Sequence, residues 1–372
     1  MDFRLGEDQR MLAETLARFL KENYAIDKRH ENARMDGGFS RDMWKAFADL
    51  GVIGALFPEQ AGGFGGSGDD LMVVFEALGR ALVVEPFLPT LLAGSAIAEA
   101  GSQAQKAMLE SVIAGETLIA LAHGEQAARY DLDHVETNAT ESGGQWKITG
   151  AKSVVLGGGN ADSLVVSART SGGITDDEGI SLFIVDPAAG GVIVRDYGTV
   201  DGYPSAEISF EDAVGEPLGA IGKALPVIEK AQARAIVALS AEVLGAMEVA
   251  KDMTVEYMHT RKQFGVIIGK FQALQHRMAD VLIEIEQMRS SLINAAGNLE
   301  GERKRREWAV SACKNLAGRA GRQVAEEAIQ IHGGMGMTWE YPVGHFAKHI
   351  IMADHLFGDT DHHLERFIKM GA

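Results

Sequence analysis

Cysteine is all but missing from this sequence: Cys313 stands alone among 372 residues, so no disulfide can form within the chain. A reducing compartment fits that absence, and the cytoplasm is the expected location. Basic residues are also in short supply. The chain has 35 lysines and arginines against 52 aspartates and glutamates, a formal net charge of −17. Such a surface repels nucleic-acid phosphates and anionic lipid, so neither is expected as a partner. An anionic ligand would need positive charge gathered locally against the overall field. Met1–Leu20 has no basic leader followed by an apolar run, so no signal peptide is expected there. No uninterrupted apolar stretch is long enough to cross a bilayer. With 46% hydrophobic and 23% charged residues the composition argues against disorder. The length permits two or three domains.

The pattern changes twice along the chain. Leu12, Leu16, Phe19 and Leu20 recur at helical spacing, with Glu14, Arg18 and Lys21 around them, and the first third reads as helical. From about Ile119 short β-favouring runs take over: Trp146–Thr149, Leu164–Val166, Leu182–Val185, Val192–Val194 and Glu207–Phe210. Turns such as Gly143-Gly144 and Asp186-Pro187 separate them. That grammar predicts a compact antiparallel β-domain, not βαβ units. Helices return near Pro226, where Leu274, Met278, Val281, Ile285, Met288 and Leu292 step by four and three along one seam. The expected fold is α+β and multidomain. It has an N-terminal all-α domain over 1–118, a central antiparallel β-barrel-like domain over 119–225, and a C-terminal four-helix bundle over 226–372.

Several motifs have a plain reading that outweighs the chemical one. Gly63-Phe64-Gly65-Gly66-Ser67-Gly68 satisfies G-x-G-x-x-G, and Glu85 lies about where a ribose-binding acid would. Yet Pro58 interrupts the approach and Glu85 runs into Pro86, so a turn entering a helix is expected instead. His345 and His349 are four apart on a predicted helix, but no adjoining glutamate or third ligand completes a metal site, and none is expected. A Ser/His/Asp site has no G-x-S-x-G elbow to support it.

Three C-terminal segments carry more. Thr260-Arg261-Lys262-Gln263-Phe264-Gly265, then Gly269-Lys270-Phe271-Gln272, put a bidentate cation and an aromatic ring in the break between two long helices. That equipment suits a pyrophosphate beside a ring system, although a basic helix end with a glycine stop reads the same way. Gln330-Ile331-His332-Gly333-Gly334-Met335-Gly336 offers backbone N–H groups that an anion can approach closely, or a helix that simply ends. Phe357-Gly358-Asp359-Thr360-Asp361 breaks two helices, with Asp359 or Thr360 as the N-cap of the second.

In this order, the run Arg261–Phe264, Gly269, Gln272, Gln330–Gly336, Thr338, Glu340, Tyr341 and Pro342 resembles the acyl-CoA dehydrogenase family. Pro58-Glu59-Gln60-Ala61-Gly62-Gly63-Phe64-Gly65 is similar to the family's N-terminal P-E-x-x-G-G-x-G, and Lys147–Lys152 to its central G-x-K segment. Within the family the chain looks most like the small subunit of pimeloyl-CoA dehydrogenase.

The resemblance implies an FAD-dependent oxidoreductase acting on an acyl-CoA substrate. A carboxylate takes a proton from carbon 2, a hydride leaves carbon 3 for the flavin, and an electron-accepting flavoprotein is the redox partner. Arg261, Phe264 and Gln272 would contact the ADP portion of FAD. Gln330, Gly333 and Gly334 would grip it from a neighbouring subunit, implying a homodimer, a homotetramer or a heteromer with a second acyl-CoA dehydrogenase chain. Thr360 would lie near the cofactor.

Three stretches depart from the family pattern. Its Thr-Glu-Pro…Gly-Ser-Asp segment reads Ala122-His123-Gly124-Glu125-Gln126-Ala127-Ala128-Arg129-Tyr130-Asp131. Its ring-facing tryptophan and threonine read Val154 and Leu156. Its catalytic glutamate falls on Gly358, which leaves the adjacent Asp359 as the expected base. The alternative site, in the first long helix, reads Ala233-Arg234-Ala235-Ile236 and holds no acid; Glu242 lies further along. These departures raise a second expectation, a non-catalytic subunit that completes the FAD site of a heteromer.

Overall fold

The computed structural model describes residues 6–371. The first five residues of the Met1–Leu20 stretch, and Ala372, lie outside it. Six helices come first: α1 (Glu7–Asn23), α2 (Ile26–Asn32), α3 (Arg41–Asp49), α4 (Gly68–Ala81), α5 (Phe87–Ala100) and α6 (Gln103–Ile113). Seven strands follow: β1 (Ile119–Ala122), β2 (Asn138–Ser142), β3 (Gln145–Leu156), β4 (Ser163–Arg169), β5 (Ile180–Val185), β6 (Val192–Gly198) and β7 (Pro204–Leu218). The chain then returns to helix with α7 (Leu225–Thr260), a two-stranded hairpin β8 (Lys262–Gln263) and β9 (Val266–Ile267), α8 (Gln272–Asn298), α9 (Arg303–His332), α10 (Val343–Asp354) and α11 (Thr360–Gly371). The predicted order of helices, strands and helices is therefore observed.

These elements gather into two compact units. One holds Glu31–Ser67 and Val84–Ala235, which includes the whole seven-stranded sheet. Its pairings run β4–β2–β3–β7–β5 and back to β4, with β1 beside β4 and β6 beside β7. The sheet is mixed, which corrects the antiparallel expectation: β1 and β2 both pair with β4 in parallel. Turn signals govern only consecutive strands. Gly143 and Gly144, with φ of 61° and 79°, make the tight turn that joins β2 to β3 antiparallel. The parallel pairs join strands that no turn connects, so local sequence carried no sign of them. Ile148, Leu164, Val166, Phe183, Ile208 and Phe210 fill the core at 1% exposure or less. Helix α5 is buried all round from Phe87 to Ile97 and crosses β1 closely. A Cβ on its Gly94 would stand 2.4 Å from the Phe57 ring.

The other unit contains Gly68–Val83 and the chain from Ile236 onward, with the described residues up to His30. Glycines let its helices touch backbone to backbone. A Cβ on Gly79 of α4 would lie 1.9 Å from the Glu242 carbonyl, and one on Gly245 of α7 would lie 2.1 Å from that of Glu76. The expected seam on α8 is buried from Met278 to Leu292, while Leu274 is only partly covered. Five helices follow the sheet in sequence, three long and two short. Phe357 and Gly358, with φ of 60° and 107°, break the last stretch into α10 and α11.

The motifs set aside take their plain readings. Among the described residues no strand precedes Gly63; the segment folds onto Phe57, and Glu85 is buried, accepting from Asn32 Nδ2 and the Ser40 amide. His345 bonds the Trp339 carbonyl and His349 faces Glu242 at 3.3 Å. Among the described residues no helix is long and apolar enough to cross a membrane.

Candidate functional site

The end of α7 and the end of α9 form the two walls of one cleft. After Thr260 the chain turns tightly through Phe264 and Gly265, both at positive φ, and re-enters helix at Gln272. Helix α9 stops at His332 because Gly333 takes φ 58° and ψ −137°, which continues no helix. The cleft between them measures about 560 Å³, and Arg261, Phe264, Gln330, Gly333 and Gly334 all line it. The structure thus brings together five of the residues singled out in the sequence. They come from the ends of two helices of one chain. Sequence separation hid this, because it says nothing about which distant helix ends converge.

The cleft's chemistry is that of an anion and a ring. Arg261 is exposed, and its guanidinium has no side-chain partner among the described residues. Arg277, by contrast, is committed to Glu327 at 2.6 Å. Gln330 is exposed, and nothing lies within 4 Å of a Cβ built on Gly333 or Gly334, so their backbone is open to a ligand. Phe264 is 91% exposed, an unusual position for an aromatic ring, and meets Phe271 edge to face at 6.3 Å. His332 lines the floor. Its Nδ1 donates to the Ala328 carbonyl and its Nε2 accepts from the Tyr341 hydroxyl. Burial holds its pKa below the ordinary value, and its ring is tilted against that of Tyr257, with centroids 4.5 Å apart. Tyr257 was missed in the sequence, although it lies four residues before Arg261, whose amide donates to its carbonyl where α7 ends.

Gln272 and Thr360 do not line this cleft. Gln272 is exposed at the start of α8. Thr360 donates to Asp354 Oδ1 at 2.9 Å and its carbonyl accepts from Asn315. Asp359 caps α11: its Oδ1 accepts from the His362 amide at 2.9 Å. The turn around it is held from below. Lys314, buried, donates to the carbonyls of Asp354 and Gly358 at 3.0 and 2.8 Å, and His363 bonds the Phe357 carbonyl. Burial pushes the Lys314 pKa down to about 8 against the opposing pull of Asp354 and Asp359.

On the sheet, the segment after β1 is organised by a buried ion pair, Lys152 with Glu125 at 2.6 Å. Val154 is half exposed in a bulge of β3, and Leu156 is partly buried.

Three family models match successive parts of the chain: the N-terminal domain of acyl-CoA dehydrogenase over residues 6–116, the middle domain over 120–213 and the C-terminal domain over 225–370. Mitochondrial isovaleryl-CoA dehydrogenase from Pongo abelii is 30% identical over 366 residues, covering 92% of this chain and 84% of that protein. Among solved structures, the ChsE4-ChsE5 complex from Mycobacterium tuberculosis aligns with a TM-score of 0.89 at 25% identity, over 99% of this chain and 98% of that one. The structure described as PigA with FAD and proline aligns with a TM-score of 0.91 at 26% identity, over 100% and 99%.

Proposed function

The chain belongs to the acyl-CoA dehydrogenase family, and on that premise we propose that it serves the FAD-dependent 2,3-dehydrogenation of an acyl-CoA thioester. One observation carries the reading: Arg261 and Gln330, neither held by another side chain among the described residues, line the same cleft as the uncovered Gly333-Gly334 backbone and the exposed Phe264. Arg261 would meet the pyrophosphate, Phe264 the adenine side, and Gln330 with Gly333 and Gly334 the remaining ADP oxygens. Gln272, at the cleft's edge in sequence, and Thr360, on its separate turn, are carried as weaker members of this set. The division into 1–118, 119–225 and 226–372 is part of the same reading and is supported by the family spans. When bound, FAD supplies the acceptor for the hydride that leaves carbon 3.

In this reading Asp359 takes the carbon-2 proton. It is the carboxylate nearest in sequence to Gly358, where the resemblance expects a glutamate, and Lys314 pins that turn. A carboxylate on a rigid turn is held for proton abstraction better than one on a mobile loop. A second reading is favoured by the capping bond: with Oδ1 occupied by the His362 amide, the chain would be a half-site subunit in a heteromer. That ChsE4-ChsE5 is a complex of two differently named chains supports this. An electron-accepting flavoprotein would then reoxidise the pair.

The visible absorption of the purified chain separates the two. Yellow protein that bleaches on adding acyl-CoA, with bleaching lost in Asp359→Asn, supports the first. Colourless protein that takes up flavin only beside a partner chain supports the second. Bleaching unchanged in Asp359→Asn removes that residue from the base role.

A further inference from the structure

The turn between α10 and α11 is both strained and tightly held. Phe357 sits at φ 60° and Gly358 at φ 107°, so a bulky residue is kept in the left-handed region beside a glycine. Strain of this kind persists where the surroundings enforce it, and it gathers at functional sites. Here one helix, α9, enforces it. Lys314 Nζ donates to the Asp354 carbonyl at 3.0 Å, where α10 ends, and to the Gly358 carbonyl at 2.8 Å. The next residue, Asn315, donates from Nδ2 to the Thr360 carbonyl at 2.8 Å. One helical turn on from Lys314, Gly318 supplies the seat. A Cβ there would stand 1.9 Å from Asp354 Oδ1 and 2.3 Å from Thr360 Oγ1, two atoms bonded to each other at 2.9 Å. Lys314, Asn315 and Gly318 thus hold the end of α10, the turn and the start of α11 together.

An ammonium is a costly residue for packing alone. Lys314 is 1% exposed, and a methionine would fill the same space without the desolvation that burial imposes on a charge. What the ammonium adds is direction. Its N–H groups bind carbonyls on either side of the Phe357 turn, and Asp354 Oδ1 lies 3.9 Å away as a counter-charge. Asp359 is the first residue whose placement follows from this grip. Its Oδ1 accepts from the His362 amide at 2.9 Å and its carbonyl from the His363 amide at 3.0 Å. The carboxylate is therefore oriented by the first turn of α11, and the start of that turn is placed by Lys314.

We propose that Lys314 is a positioning residue for carbon-2 proton abstraction, setting through the turn the direction in which Asp359 presents its carboxylate. This rests on the reading that Asp359 is the base. Lys314 is buried beneath the turn, so it acts through that carboxylate and not on the reacting atoms. A misplacement of about 1 Å in a reacting group costs roughly a hundredfold in rate. An effect of this kind falls on the chemical step and spares substrate affinity.

The test compares wild type, Lys314→Met, Asp359→Asn and the double variant by stopped-flow bleaching with acyl-CoA. Each is loaded with FAD, beside a partner chain if flavin uptake needs one. The rate at saturating acyl-CoA is expected to fall about tenfold or more in Lys314→Met, with the half-saturating concentration within about twofold of wild type. In the Asp359→Asn background Lys314→Met should change the residual rate little, because the group it orients is gone. Amide hydrogen exchange of the flavin-free protein gives a reading independent of activity. The His362 and His363 amides should exchange about tenfold faster in Lys314→Met, while the Met278–Leu292 seam keeps its wild-type protection. Should Lys314→Met fail to fold, Asn315→Ala loosens the same turn at the Thr360 carbonyl and is held to the same results. Wild type that never bleaches, or Asp359→Asn that bleaches like wild type, overturns the base reading and this inference with it. If Asp359→Asn does slow bleaching, this inference alone falls on any of three results: Lys314→Met matching wild type in rate, slowing both backgrounds by one factor, or leaving the His362 and His363 amides unchanged.

Discussion

His363 occupies the space that a side chain at Gly358 would need: its Nε2 lies 2.7 Å from an ideal Cβ there, while donating to the Phe357 carbonyl at 2.9 Å. Gly358 also sits at φ 107°, open to glycine and hardly to any other residue. The position where the family resemblance expects a catalytic glutamate is therefore closed twice, by conformation and by packing. Gly358→Glu is expected to cost about 1–3 kcal/mol and to confer no new acyl-CoA bleaching. Urea denaturation and flavin spectroscopy check both parts. A variant as stable as wild type that bleaches faster would show that the turn rearranges readily.

Asp359 can be separated from its capping role because asparagine caps a helix as well as aspartate does. Asp359→Ala should lose about 1 kcal/mol of stability, whereas Asp359→Asn should stay close to wild type. Any loss of bleaching in Asp359→Asn then reflects the missing carboxylate and not a frayed α11. Equal destabilisation by both substitutions would point to a charge interaction, with Lys314 the nearest candidate.

The same turn makes the protein sensitive to acid. Burial pushes His363 down to about 3, against an unfolded value near 6.5. Because the folded value is the lower one, the unfolded chain binds the extra proton first as the pH falls. Stability from this group is present above about pH 6.5 and declines on the way to 3. Near pH 5 the loss relative to pH 7 should be roughly 2 kcal/mol. Denaturation of wild type and His363→Gln at the two pH values checks it, and the variant should show the smaller difference.

Among the described residues Arg261 is the one cation lining the cleft that is not paired to an acid, in a chain of net charge −17. Arg261→Met is expected to weaken ADP binding about tenfold or more, and Arg261→Lys to recover only part, since an ammonium cannot form the planar two-pronged contact. Calorimetric titration with ADP at two salt concentrations measures it. Unchanged affinity in Arg261→Met would remove the arginine from the site.

How much of this was readable in the sequence depended on whether the determining contacts were local. The Met278–Leu292 seam and the Gly143-Gly144 hairpin follow from spacing and from left-handed glycine geometry, and the structure contains both. The cleft residues were legible as motifs, because helix ends with glycine and arginine are local features. Their convergence on one chain was not, since the ends of α7 and α9 meet through packing of long helices. The parallel pairs at β4 were hidden for a similar reason. The bonds of Lys152 to Ser167 and to the His123 carbonyl were the least visible, because the three residues lie on β3, on β4 and just after β1, and no spacing rule connects them.

The Lys152–Glu125 pair offers a test of whether this network holds the sheet together or only orients it. Both groups are buried and charged, so removing one leaves the other without its counter-ion. Lys152→Met or Glu125→Leu should each cost about 3–5 kcal/mol. Removing both charges, as in Lys152→Met with Glu125→Leu, takes away the desolvation penalty along with the attraction, and should cost clearly less than the sum. A double-mutant cycle by urea denaturation gives the coupling directly. If the double variant regains most of the stability, the pair is retained for orientation and not for stability. If it unfolds as readily as the sum of the singles predicts, the pair acts through independent contacts, such as the Glu125 bonds to the Glu136 and Thr137 amides.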